Sequence, residues 1–208
     1  MIDTATVLAY MLAVLGLFFI PGPANLLVLA CASSGGRRVG IASGLGIAAG
    51  DLIHSTMATL GLSAVLMRSA VAFSVVKYVG VAYLIYLGVR AFIEPAEAQE
   101  LPSAPAIRAS RAFRQAVLVE TLNPKTALFF LAFLPQFVHP ENGRPFAQFV
   151  MLGLLFVAMS GGWTLVLAVL AGSFGRWLHR HRSLGRWRGK TVAMLCFGLG
   201  IRPTFQER

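Results

Sequence analysis

Charge is what this chain has least of. Of its 208 residues 12% are charged and 57% hydrophobic, whereas soluble proteins run to about a quarter charged and about half apolar. That balance excludes a water-soluble globule. At about 20 residues per membrane-crossing helix, the apolar content suffices for about six spans and leaves no room for a separate extramembrane domain. Acidic residues are scarcer still, with 8 Asp and Glu against 18 Lys and Arg for a net charge of +10. In so apolar a chain the basic surplus reads as a topology signal at the bilayer surface, and nucleic acid is not expected as a partner. Cysteine is reduced to Cys31 and Cys196, both inside apolar runs. They offer neither a disulfide framework nor a CxxC spacing, and they carry no compartment signal. No H-E-x-x-H motif occurs, and neither a metal nor a cofactor is expected.

Near the N-terminus, Val28-Leu29-Ala30-Cys31 has the form of a lipoprotein cleavage box and Ala30-Cys31-Ala32 that of an A-x-A signal-peptidase site. Nothing basic precedes the apolar run, Pro21 and Pro23 interrupt it, and further hydrophobic segments follow. The first segment is therefore expected to be a retained membrane helix.

Thr4 to Gly36 holds 33 residues without Asp, Glu, Lys, Arg or His, longer than one straight span requires. Pro21-Gly22-Pro23 supplies the break, since each proline lacks an N–H and clashes with the preceding turn while Gly22 adds backbone freedom. A second span is expected from Val39 to Met67, containing Asp51 and His54, and a third from Val71 to Phe92. Glu94 to Arg114, with three prolines, three glutamates and three arginines, reads as an exposed linker. A fourth span from Ala116 to Val138 is interrupted at Asn123-Pro124-Lys125. A fifth lies within Pro145 to Gly175. The last is the shortest, because Thr191 to Ile201 offers 11 uncharged residues, about 16 Å of helix. A sixth full span, lengthened if Arg188, Lys190 and Arg202 snorkel, is favoured over a half-inserted hairpin.

The expected fold is thus an all-α integral membrane protein: a first three-helix half over 1–92, a cytoplasmic linker over 93–114 and a second half over 115–208. The loops after helices one, three and five hold twelve basic residues, and the termini with the even loops hold five. This bias puts the odd loops in the cytoplasm and both termini outside, in a multi-pass protein of the cell's inner or plasma membrane. Because three is odd, the halves enter the bilayer from opposite sides. Each carries a proline-broken first helix, and paired interrupted segments in corresponding positions are the best sequence pointer to a transporter binding site.

A break at bilayer depth exposes backbone groups that lipid cannot satisfy, so it is tolerated only against protein or a polar cavity. Pro23-Ala24-Asn25 would open a new helix whose free N–H groups and positive dipole end suit a carboxylate. Asn25 either caps those donors or binds ligand directly. Asp51 costs roughly 2.5–3.5 kcal/mol at the bilayer centre even on the lenient insertion scale. Either it shares a proton with His54, three residues on along the same helix face, or it binds a substrate ammonium. The plainer alternative puts it near a span end or pairs it with a lysine. Lys125, with Glu120 five residues before it, either snorkels to the interface or enters the cavity. Lys77 reads as snorkelling. Tyr78, Tyr83, Tyr86, Phe129, Phe130, Phe133 and Trp163 read as packing or lipid-facing side chains. Gly40, Gly44, Gly46, Gly50 and Gly61 suit close helix packing and are compatible with a homodimer.

Phe18-Phe19-Ile20-Pro21-Gly22-Pro23-Ala24-Asn25, the Gly36 to Gly40 turn and Gly44-Leu45-Gly46 resemble the first-half signature of the LysE/RhtB superfamily of amino-acid exporters. Asn123-Pro124-Lys125, Phe129-Phe130 and Leu134-Pro135-Gln136-Phe137 are similar to that family's fourth-helix block, and Lys77, Gly80, Tyr83-Leu84 and Gly88 to its third. Arg202-Pro203 departs from the apolar continuation usual there. The resemblance implies export of an amino acid or small derivative from the cytoplasm, driven by the proton gradient as an antiporter and without a cofactor. The substrate-binding candidates are then Pro21, Gly22, Pro23, Asn25, Asp51, Asn123, Pro124 and Lys125, with Asp51 and His54 as proton-coupling candidates.

Three other classes compete. A small multidrug or metabolite efflux protein shares the architecture and differs in ligand. A channel or structural partner leaves the burial of Asp51 and two broken helices without purpose. An intramembrane serine protease is suggested by Ser160-Gly161, but Ala158 stands where that motif needs glycine and no histidine lies in the sixth segment. The chain is not expected to be an enzyme.

Overall fold

The computed structural model describes residues 2–19, 22–76, 78–79, 82 and 107–180, with residues 172–180 as backbone alone. Pro21, Lys77, Gly80, Tyr83, Leu84, Tyr86, Gly88, Cys196, Arg202-Pro203 and the expected sixth span lie outside the described residues, as does most of the third span.

Among the described residues all regular structure is helical. Helix α1 (Thr4–Phe18) is followed by α2 (Pro23–Arg68), α3 (Ala109–Thr121), α4 (Pro124–Phe133) and α5 (Pro145–Arg180), with 3-10 turns at Leu134–Phe137 and Pro140–Asn142. Residues 70–76 are helical as well. Asp3 caps α1, accepting from Thr6 N at 2.8 Å and from Thr6 Oγ1 at 2.7 Å, and these bonds hold its carboxyl below the usual carboxylate range. The inner face of α1 carries Tyr10, Ala13, Val14 and Phe18, while Leu8, Leu12 and Leu15 are exposed. A helix apolar on both faces is what a bilayer-embedded bundle requires.

Helix α1 stops at Phe18, and the chain restarts as helix at Pro23, which occupies the first helical position, where a missing N–H costs nothing. Gly36 interrupts α2 with φ 77 and ψ 178, a conformation that L side chains rarely adopt. Residues 23–35 therefore complete the broken first segment, and residues 37–68 form the second. The expected division of the sequence there is what the backbone does. Helix α3 begins at Ala109, inside the stretch read as linker, because Ala112 and Ala116 bury one face while Arg111 and Arg114 leave by the other.

Pro145–Ala171 is by itself long and apolar enough to cross a membrane. The pair α1 and α2, bent by 59°, and the pair Ala109–Thr121 and Pro124–Phe137, bent by 50°, qualify when each is taken as one span. The 37–68 segment is the central rod, packed on α3 and α5. Lipid supplies no hydrophobic drive between helices, so close contact has to come from small residues. Gly46 lies on the Phe113 carbonyl and Ala116, Gly50 on Glu120, Gly44 on Thr164, and Gly40 on Ala32 and Ala168. Gly61 alone of the five singled out from sequence has nothing against it.

Phe129, Phe130 and Phe133 are packing residues. With Tyr10, Phe18, Phe137, Phe149 and Phe156 they form an aromatic core between α1, α4 and α5, whereas Tyr78 is exposed. The Tyr10 hydroxyl donates to the Leu152 carbonyl at 3.0 Å from a fully buried position. Tyr10→Phe is expected to lower stability by about 1 kcal/mol, measured by denaturant unfolding in mixed micelles. One turn before Leu152, Gln148 ties the connection before α5 together. Its Oε1 accepts from His139 N at 2.9 Å, and its Nε2 donates to His139 O at 2.9 Å and to Gly143 O at 2.8 Å.

Candidate functional site

The two helix breaks lie side by side. A Cβ placed on Gly22, the N-cap of α2, would sit 3.5 Å from Lys125 Nζ and 3.7 Å from Lys125 Cδ. The Lys125 side chain therefore runs along the opposing break, and of its two sequence-level placements this is the one directed into the protein.

Each break is held by an asparagine, in opposite senses. Asn25 Nδ2 donates back across the first break to the Phe18 carbonyl at 3.0 Å. Asn25 thus satisfies an orphan acceptor at the end of α1, and the first turn of α2 is left without a side-chain cap. Asn123 works forward. Its Oδ1 accepts from Lys125 N at 3.1 Å, capping α4 with Pro124 at the first helical position. Asn123 Nδ2 then reaches back to Glu120, at 3.2 Å from Oε2 and 3.4 Å from Oε1.

Glu120 is 2% exposed and also accepts from Thr126 Oγ1 at 2.5 Å. Asp51, equally buried, accepts from Ser160 Oγ of α5 at 2.5 Å. The close approach of Gly50 to Glu120 Cβ, 2.6 Å from an added Cβ, brings the two acids together, and their carboxyls are within hydrogen-bonding reach of each other. Lys125 is within electrostatic range of Glu120. His54 does not bond to Asp51. Its Nε2 donates to the Glu120 backbone carbonyl at 2.9 Å, and its ring lies over Phe130 at 6.2 Å with 16° between planes.

Of the candidates named from sequence, Gly22, Asp51, Asn123 and Lys125 converge on one interior region, while Asn25 is turned to the end of α1. Glu120 and Ser160 were not among them. The sequence offers Glu120 only as a neighbour of Lys125 near the entrance of the fourth span, although its four-residue depth into an apolar run is visible. In the sequence Ser160 has only the form of a protease nucleophile. Also buried are Ser55, Thr59 and Ser63, which continue from Asp51 at four-residue steps along one face of α2. Trp163 stands against Phe18 and Phe19, at 6.2 and 5.0 Å between ring centroids, with its indole N–H buried and without a hydrogen-bond partner. No group of three metal-ligating side chains occurs among the described residues.

Residues 15–205 match the family model of the LysE type translocators. An uncharacterized membrane protein of Pseudomonas aeruginosa is 30% identical over 93% of this chain and 92% of its own. The homoserine/homoserine lactone efflux protein of Salmonella typhimurium is 29% identical over 82% of each chain. The leucine efflux protein of Klebsiella pneumoniae is 26% identical over 94% of this chain and 92% of its own. No solved structure matches significantly. With nearly its whole length inside the family match, two proline-broken segments meeting around buried charge, and a membrane-spanning helical fold, the chain belongs to the LysE type translocator family.

Proposed function

We propose that this protein exports an amino acid or a small amino-acid derivative from the cytoplasm by alternating access between its first and second three-helix halves, coupled to proton entry. The observation that carries the proposal is the contact between Gly22 of one helix break and Lys125 of the other, within electrostatic range of the buried Glu120, which in turn neighbours the buried Asp51. A zwitterion needs donors for its carboxylate and an acceptor for its ammonium, both shielded from lipid. The uncapped first turn of α2 and Lys125 supply the donors, and Asp51 supplies the acceptor. In this reading Pro21 and Pro23 keep the first break open, and Pro124 with Asn123 fixes the second. The names of two relatives, efflux proteins for homoserine or its lactone and for leucine, support a small amino-acid substrate. The basic-residue bias supports cytoplasmic odd loops in the inner membrane.

The test compares intracellular metabolites in a deletion strain and an overexpressing strain. One or a few amino acids should accumulate in the first and fall in the second. An unchanged amino-acid pool, together with altered resistance to cationic dyes, would transfer the protein to the multidrug class.

A further inference from the structure

We infer that Glu120 is the second member of the proton-coupling site, forming with Asp51 a carboxyl pair that takes up and releases the exchanged proton, and that His54 is a positioning residue outside that exchange. The inference rests on the transport reading above and names the groups that couple it to protons.

The two carboxyls come from different layers of the bundle, Asp51 from the central rod and Glu120 from the helix that ends at the second break. Each receives hydroxyl donation, from Ser160 and Thr126 respectively, and Asn123 adds an amide donor to Glu120. A hydroxyl oriented onto a carboxylate holds it in place in either protonation state. A proton can therefore pass between the two acids without repacking.

Among the described residues the ionisable groups around the pair are few. Helix α1 contributes Tyr10, whose hydroxyl is engaged with Leu152 O. Helix α2 contributes His54 and α4 contributes Lys125, while α5 offers no ionisable side chain between Pro145 and Ala171. Among the described residues, the two acids against one lysine leave a single negative charge, which one proton neutralises in a medium where net charge is costly. His54 has a different task. A backbone carbonyl only accepts, so Nε2 carries a hydrogen, and the imidazole fastens the end of α3 to α2. It thereby fixes where the Glu120 side chain starts.

Being a terminal element of α3, Glu120 also sits three residues before Asn123 and five before Lys125. A change of proton occupancy on the pair is thus felt directly at the second break, through Asn123 Nδ2 and Thr126 Oγ1.

The experiment uses the full chain in proteoliposomes loaded with the amino acid identified by the metabolite comparison. It measures two quantities for wild type, Glu120→Gln and His54→Gln: accumulation driven by a pH gradient, and counterflow of labelled substrate at equal pH on both sides. Glu120→Gln keeps an oxygen for Thr126 and should retain counterflow within about threefold while losing at least about tenfold of its response to the gradient. His54→Gln, which still donates, should keep both. Gradient-driven accumulation in Glu120→Gln within twofold of wild type would overturn the inference, and so would a parallel loss of counterflow, which would assign Glu120 to substrate binding or to the fold. Absence of both activities in wild type would instead overturn the transport reading.

Discussion

Asp51→Asn should reduce pH-driven efflux about 10- to 100-fold, the range set by losing a hydrogen bond to a charged group worth about 1.5–3 kcal/mol. The substitution conserves volume, and Asn can still accept from Ser160 through its Oδ1, so packing between α2 and α5 is retained. What disappears is the negative charge proposed to receive the ammonium and the acid proposed to carry the proton. Efflux from inverted vesicles or loaded cells is the measurement, with protein level in the membrane as the control. Wild-type rates in the variant would remove Asp51 from coupling. A uniform fall at every pH would leave it in substrate binding alone.

Gly46→Ala should be the most damaging single methyl group in the described part of the bundle. The added Cβ would collide with the backbone carbonyl of Phe113 and lie 2.7 Å from Ala116 Cβ, neither of which can rotate away. Overpacking of this kind costs about 1–3 kcal/mol, or several degrees of melting temperature at about 2–4 °C per kcal/mol for a chain of this size. Its effect reaches function, because pushing α3 away from α2 draws Glu120 from Asp51. Gly61→Ala supplies the contrast, since nothing lies within 4 Å of its added Cβ. Thermal unfolding in detergent should separate the two variants clearly, and equal melting temperatures would refute the close approach of α2 and α3.

The architecture was legible in the sequence wherever chemistry forbade the alternative. Prolines cannot continue a helix, so both breaks were visible, and Gly36 fell where the uncharged run ended. Asp51 stood out because acid in an apolar run demands compensation. The same logic applied to Glu120, but its place five residues before Lys125, near the entrance of the fourth span, allowed an interfacial position, whereas the structure buries the side chain. Lys125 could not be oriented from periodicity, because a helix only just begun at Pro124 has no established face. Ser160 and His54 were ambiguous for a further reason. A hydroxyl at a helix face and an imidazole three residues from an acid each have several neighbours within reach, and which one they meet is decided by the helices packed against them. The pattern Asp51, Ser55, Thr59 and Ser63 was available as a four-residue period and shows a polar face that hydropathy averaging conceals.

The Gln148 side chain makes residues 139–143 and the head of α5 a single stiff piece. Ser160 stands on that same helix, about 18 Å farther along at 1.5 Å per residue, with its hydroxyl on Asp51. Any tilt of α5 that lifts the serine off the acid is consequently passed to residues 139–143 as a lever arm transmits a small rotation. A fluorophore carried at Glu141, whose side chain is 68% exposed, would register such a tilt.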